Sequence, residues 1–166
     1  MKITITGTPG TGKTTISEAL DIPVIHLTEF VKEQGLGEQK EEFEVDIPAM
    51  VEALEEEVEN YDDVVIEGHL AHYCPSDVCF VLRCDPEVLD ERLEERDYSE
   101  AKVRENLESE ALDIVLAQVV EHQDTVIEID TTDLSEEEVV ADIKEKIGER
   151  PDVEADYGNV DWSNWL

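Results

Sequence analysis

The stretch Gly7-Thr8-Pro9-Gly10-Thr11-Gly12-Lys13-Thr14 has the spacing GxxxxGK[ST], the pattern of a phosphate-cradling loop between a strand and a helix. Each residue type has a mechanical reason. Gly10 and Gly12, with Thr11 between them, let backbone N–H groups turn inward on phosphate oxygens. The helix that follows adds the positive end of its dipole. Lys13 then reaches the β- and γ-phosphates of ATP, and the Thr14 hydroxyl ligates Mg²⁺. Such a metal also wants a carboxylate at the end of a neighbouring strand. Glu67, directly after the apolar run Val64-Val65-Ile66, stands in that place. Thr14 and Glu67 are therefore the candidate metal ligands. His69 lies on the same rim, where it can position a water or a phosphate or supply a proton; His72 reads as structural.

The chain has only five arginines, and Arg83, Arg92, Arg96 and Arg104 all fall within residues 83–104. Arginine forks suit phosphate oxygens. Arg92 and Arg96 are one helical turn apart and share a face, so they are read as phosphate-binding. Arg83 either contacts the acceptor or forms a structural ion pair with an acid. Arg104 pairs with an acid on its own helix, and Lys32 is a candidate for a second phosphate group.

These residues need a frame. Residues 2–6 read as a strand, the helix after the phosphate loop runs to Leu20, and Val24-Ile25-His26 is a short strand. A helix from Thr28 to Gln34 is followed by an acidic stretch, 38–46, expected to be a loop. Ile47, Met50, Val51, Leu54 and Val58 make one helical stripe, opened by Asp46 and Pro48. Strands follow at 63–67 and 78–82, and a helix at 86–94. One long helix is expected from Ser99 through Val119, then a fifth strand at 125–129. The last helix opens on a Ser135–Glu138 capping box and stops at Gly148. Strands alternating with helices predict an α/β fold of the P-loop NTPase kind, a doubly wound five-stranded parallel sheet with helices on both faces. Residues 1–148 would form that domain. Residues 149–166 break the pattern, and Trp162, Trp165 and Leu166 either dock on the domain, bind a partner or stay free.

Composition bounds the partners. Of 166 residues, 45 are Asp or Glu and 12 are Lys or Arg, a formal charge of −33. A basic footprint for nucleic acid is missing, no apolar run suits a membrane span, and the start lacks a signal-peptide pattern. Neither DNA nor a membrane is an expected partner, and a cytoplasmic location is. Cys74, Cys79 and Cys84 lack a zinc-type spacing and read as inert thiols of a reducing compartment. The acid excess is spread along the chain, as in proteins of salt-rich cytoplasm. Molar salt shortens the Debye length to about 3 Å, so the melting temperature is expected to rise between low and molar KCl.

Three stretches carry a family resemblance: GTPGTGKTT at 7–15, IEGH at 66–69 followed by Cys74-Pro75, and VLRCDPEVLDERLEERDYSE at 81–100. The helix after the last, with Asn106 and Glu110, also fits. Over residues 1–147 the chain resembles the adenylate kinase isoenzyme 6 family. The resemblance implies an NMP-binding region near 28–58, a short lid near 96–104, and transfer of the ATP γ-phosphate to AMP with Mg²⁺. It implies that Gly10, Gly12, Lys13, Thr14 and Thr15 hold ATP phosphates and that Arg92 and Arg96 are lid arginines. Glu67 and His69 match an Asp-x-His element, here begun by Glu. Lys32 stands where such kinases often carry an NMP-binding arginine. Members are also linked to small ribosomal subunit maturation, which implies a basic ribosomal protein and a pre-ribosomal particle as partners. Three readings stay open: a nucleoside monophosphate kinase, an ATPase assembly factor, and a kinase of another small acceptor such as shikimate or gluconate.

Overall fold

The computed structural model describes residues 1–166. In chain order the elements are β1 (Lys2–Gly7), α1 (Lys13–Glu18), β2 (Val24–His26), α2 (Leu27–Glu33), β3 (Gly37–Gln39), β4 (Phe43–Val45), α3 (Ile47–Val58), β5 (Val64–Glu67), β6 (Val78–Arg83), α4 (Pro86–Glu94), α5 (Glu100–Ala111), α6 (Ile114–His122), β7 (Val126–Asp130) and α7 (Glu136–Gly148). Short 3₁₀ turns lie at Ala71–Tyr73 and Ser163–Trp165.

Five strands form one sheet in the order β2-β5-β1-β6-β7, every pair parallel. β1 is central, and the chain leaves it toward β2 and β5 on one side before returning to β6 and β7 on the other. Where the order reverses, the carboxyl ends of β1, β5 and β6 open a crevice, the ordinary ligand position of such sheets. Strand periodicity of two sends Val78, Phe80 and Leu82 to one face, against α1 and α7. Cys79 and Val81 go to the other, against α6. A second core on that side joins α2, α3 and β5 through Phe30, Met50, Leu54 and Ile66. The doubly wound α/β fold read from the sequence is the one observed.

Caps follow the sequence. Asp46 accepts from the Ala49 N–H at the start of α3, Ser99 from Lys102 N–H at α5, and Ser135 with Glu138 closes a capping box at α7. Three local expectations are corrected. Residues 38–46 are not a plain loop: β3 and β4 pair antiparallel across them, because Phe43 and Val45 pack on the α2–α3 core. The expected long helix is two, since Asp113 is left-handed at φ 56 and is held there by Arg83 at 2.6 Å. Gly148 is the last helical residue, not a stop beyond the helix.

The terminal segment docks. Glu128 N–H donates to Asp156 O at 2.8 Å, and Asp156 N–H to Val126 O at 2.9 Å. The outer edge of β7 is thereby covered, which removes an open strand edge. Trp165 packs on the cluster of Cys84, Leu89, Leu93 and Leu107 between α4 and α5.

All three cysteines are buried and free. Burial pushes the Cys74 and Cys79 thiols up to about 12 and Cys84 to about 11, as expected of inert thiols. His72 is fully buried, with both ring nitrogens unpartnered. It packs beside Tyr73 and His122. Burial first, then His122 and His69, lower its pKa from 6.5 to about 4. The folded form keeps this ring neutral, whereas an unfolded chain protonates it below its ordinary pKa. Its stability contribution is therefore complete above pH 6.5 and declines toward pH 4, by about 3 kcal/mol in all. Urea unfolding at pH 7 and at about pH 5 is expected to show a smaller acid loss in His72→Phe than in the parent.

Candidate active site

The phosphate loop joins β1 to α1. Gly10 and Gly12 have φ of +92 and +96, a left-handed region that a side chain resists. At Gly10 a Cβ would also lie 2.9 Å from Leu89 Cδ1 and 3.0 Å from Leu93 Cδ2, so α4 packs directly on the loop. The first turn of α1 has no side-chain cap, which leaves its amides to a ligand. Lys13 Nζ donates to Gly7 O at 2.9 Å and to Thr8 O at 3.3 Å. Burial lowers its pKa to about 8; Glu67 and Glu110 oppose that shift and Arg96 adds to it. A lysine with so few counter-charges is poised to gain from an anion. Thr14 and Thr15 remain exposed beside it.

Glu67 ends β5 and is nearly buried. The Thr14 hydroxyl donates to its Oε1 at 3.3 Å. His26 Nδ1 lies 2.8 Å from the same oxygen, because parallel register sets the last residue of β2 opposite Glu67. A hydroxyl and a carboxylate this close offer hard oxygens of the kind Mg²⁺ takes. No group of three His, Cys, Asp or Glu surrounds them, which suits an ion held partly by nucleotide phosphates. His69 is exposed on the rim; desolvation, then Lys13 and Lys102, hold its pKa below the usual value, with Glu67 opposing.

Three clefts meet at these residues. The first, about 590 Å³, runs over the loop from Gly7 to Thr15 and is walled by Glu67, His69, Arg96, Lys102 and Asn106. The second, about 540 Å³, is mostly apolar, with Leu27, Val31, Phe43, Val45 and Ile47, and holds Lys32. It shares Thr28, Gly68, His69 and Leu70 with the first, so the two are continuous at His69. The third, about 490 Å³, lies behind the loop, where Gly10, Thr11, Gly12 and Thr15 face Arg92, Arg96 and Thr131.

Most of the sequence-predicted residues are thus brought together. Arg96 borders both the first and third clefts, its guanidinium carbon 5.9 Å from the centroid of the Tyr98 ring. Arg92 is half-buried, donating to Thr131 Oγ1 and Thr131 O at 3.1 Å. Lys32 is exposed, 5.6 Å from the centre of the Phe43 ring. Arg104 pairs with Glu108 on α5, outside the clefts.

Of the two roles expected for Arg83, the acceptor contact is corrected and the structural ion pair is the one found: it is 1% exposed and lines none of the three clefts. Its Nε donates to Glu110 Oε1 at 2.7 Å, its Nη1 to Glu128, and its Nη2 to Asp113 and to Glu110 O. Burial opposes its charge, but Glu110 and Asp113 outweigh that and raise its pKa. With each of its three nitrogens already bonded and its side chain buried outside the clefts, it is a structural cation and not a substrate contact.

Sequence reasoning missed His26, whose place beside Glu67 depends on the pairing of β2 with β5. Asn106, which the family resemblance included without a role, is nearly buried on the wall of the first cleft and keeps an unpartnered Nδ2.

A family model described as an AAA domain matches residues 3–113. A protein of Thermococcus kodakarensis named "Putative adenylate kinase" is 42% identical across 98% of this chain and 93% of its own length. One of the same name from Natronomonas pharaonis is 44% identical, covering 100% of both. Among solved structures, shikimate kinase from Bacteroides thetaiotaomicron has a TM-score of 0.63 at 18% identity, covering 89% of this chain and 98% of that one. Deoxyadenosine kinase from M. mycoides with bound dATP has 0.55 at 15%, covering 89% and 100%. At such identities these two structures speak for the fold.

Proposed function

The chain belongs to the AAA-domain family and to the family of the archaeal relatives just described, and from that premise we propose that it transfers the γ-phosphate of ATP to a nucleoside monophosphate, AMP first. One observation carries the reading: a polar cleft over the phosphate loop and an apolar cleft with a single lysine share a wall at Thr28, Gly68, His69 and Leu70. Phosphate transfer needs a donor and an acceptor in line, with water excluded. Two clefts that join at His69, beside Lys13, suit that need.

In this reading the loop amides and Lys13 hold the donor phosphates, and Arg92 and Arg96 flank the donor behind the loop. Leu27, Val31 and Phe43 enclose the acceptor base, and Lys32 leaves the Phe43 ring for the acceptor phosphate. Lys32 is a point charge where an arginine would fork, so its hold on that phosphate is the weaker one. Thr14 and Glu67 would hold Mg²⁺, which supplies charge neutralisation at the phosphates when bound. His26 fixes the Glu67 carboxylate, and His69 orients the acceptor or, without one, a water.

A second reading takes its support from the charge of −33 and from the resemblance to the adenylate kinase isoenzyme 6 family: slow ATP hydrolysis coupled to a basic ribosomal protein during small-subunit assembly. Complementary charge favours such a partner. Three buried free thiols support a reducing, cytoplasmic setting, and the acid excess supports a salt-rich one; no helix is long and apolar enough to cross a membrane. Coupled ADP assays in molar KCl test the choice. ADP formation that requires AMP, with shikimate and gluconate inactive, is the expected result. Phosphate release that ignores AMP and rises with a basic ribosomal protein would favour the second reading.

A further inference from the structure

The docked terminal segment is linked to the phosphate loop by two routes through intervening side chains, neither of which the transfer reaction uses directly. The first begins at Gly158 and Asn159, whose N–H groups both donate to Glu128 Oε2 at 2.9 Å. The other oxygen of Glu128 holds Arg83. Arg83 holds Glu110 at 2.7 Å. Glu110 Oε2 then accepts the Thr8 hydroxyl at 2.6 Å. Thr8 is in the phosphate loop, and its carbonyl accepts from Thr11 Oγ1 at 2.8 Å and from Lys13 Nζ at 3.3 Å. The second route begins at Trp165, which packs on the cluster containing Leu89 and Leu93. Those two leucines press on Gly10.

The charges explain why the chain of contacts is tight. Arg83, Glu110 and Glu128 are all buried, with side-chain exposures of 1%, 2% and 1%. One cation faces two buried carboxylates, so the remaining carboxylate oxygens must find neutral donors. Thr8 and the Cys84 N–H serve Glu110; the terminal segment serves Glu128. Two left-handed glycines give the loop conformational freedom to lose, and restraint at Thr8 and Gly10 adds to the bonds that Thr11 and Lys13 make within it.

We propose that residues 158–165 position the phosphate loop, acting through Glu128, Arg83 and Glu110 on Thr8, so that docking of the terminal segment and affinity for ATP are coupled. The ATP part rests on the proposed kinase reading; the effect on the loop does not. By reciprocity, ATP tightens the docked segment.

The test compares the parent with Glu128→Gln, Thr8→Val and the pair combined, all in the full chain at molar KCl. Glutamine has the shape of Glu128 but a single acceptor oxygen, so it cannot serve both Arg83 and the terminal N–H groups. A chain ended after Tyr157 is a further variant; of the removed residues, Trp165 is the one that packs on a hydrophobic core cluster. Hydrogen exchange at residues 7–13 without nucleotide is expected to quicken in Glu128→Gln and in the shortened chain. The dissociation constant of a non-hydrolysable ATP analogue is expected to rise about tenfold in each single variant and no further in the pair, because both cut one path. Unchanged exchange, or losses that simply add, would overturn the proposal. A parent that binds no analogue would sink the kinase reading, while the exchange comparison still judges the positioning role.

Discussion

Lys13→Ala is expected to lower kcat/KM for phosphate transfer by about 10³-fold, equivalent to about 4 kcal/mol of transition-state stabilisation. The size follows from its setting. Lys13 Nζ rests on two loop carbonyls, and burial has pulled its pKa to about 8. The side chain is preorganised in a poorly solvated place, where a charge meeting a developing phosphate charge is worth most. Lys13→Arg is expected to fail nearly as badly. It keeps the charge, but a planar fork cannot sit between Gly7 O and Thr8 O as a single ammonium does. Steady-state kinetics with ATP and AMP, with a melting curve to show that each variant is folded, would decide the matter. An alanine variant within tenfold of the parent would refute this role.

Arg83→Met is expected to destabilise the fold by about 3–5 kcal/mol, because it strands buried carboxylates without their cation. That is a large share of the roughly 5–15 kcal/mol that holds a domain together. Methionine fills much of the volume, so the loss reports charge rather than a cavity. Urea unfolding at molar KCl would measure it. Combining Arg83→Met with Glu110→Gln and Glu128→Gln is expected to recover part of the loss, as the buried charges are then gone together. A single variant as stable as the parent would show that Glu110 and Glu128 find other partners.

The contrast between Lys13 and Arg83 shows what a sequence reveals. Lys13 belongs to an eight-residue pattern whose strand and helix lie on either side of it, so position and geometry are both local. Arg83 also closes a strand, at the same rim as Glu67, and by type and place it suited either a phosphate or an ion pair. Its fate is decided by Glu110 and Glu128, 27 and 45 residues away, and no spacing rule links them. The same physics hid the break at Asp113: hydrophobic periodicity runs across it, and only the tertiary pair with Arg83 fixes the turn. The β3–β4 hairpin was obscured because strands of three residues carry too little alternation to outweigh an acidic composition. Glu67 was legible from the apolar strand before it, whereas its partner His26 needed the strand order. The terminal segment offered two tryptophans and no period, and its docking depends on backbone donors meeting Glu128, which composition does not encode.

Direct transfer between two bound nucleotides at Lys13 and His69 can be followed with γ-phosphate-labelled ATP mixed with AMP at molar KCl. The label is expected in the β-phosphate of newly formed ADP, one for each AMP consumed. Label released as inorganic phosphate at a rate indifferent to AMP would rule direct transfer out.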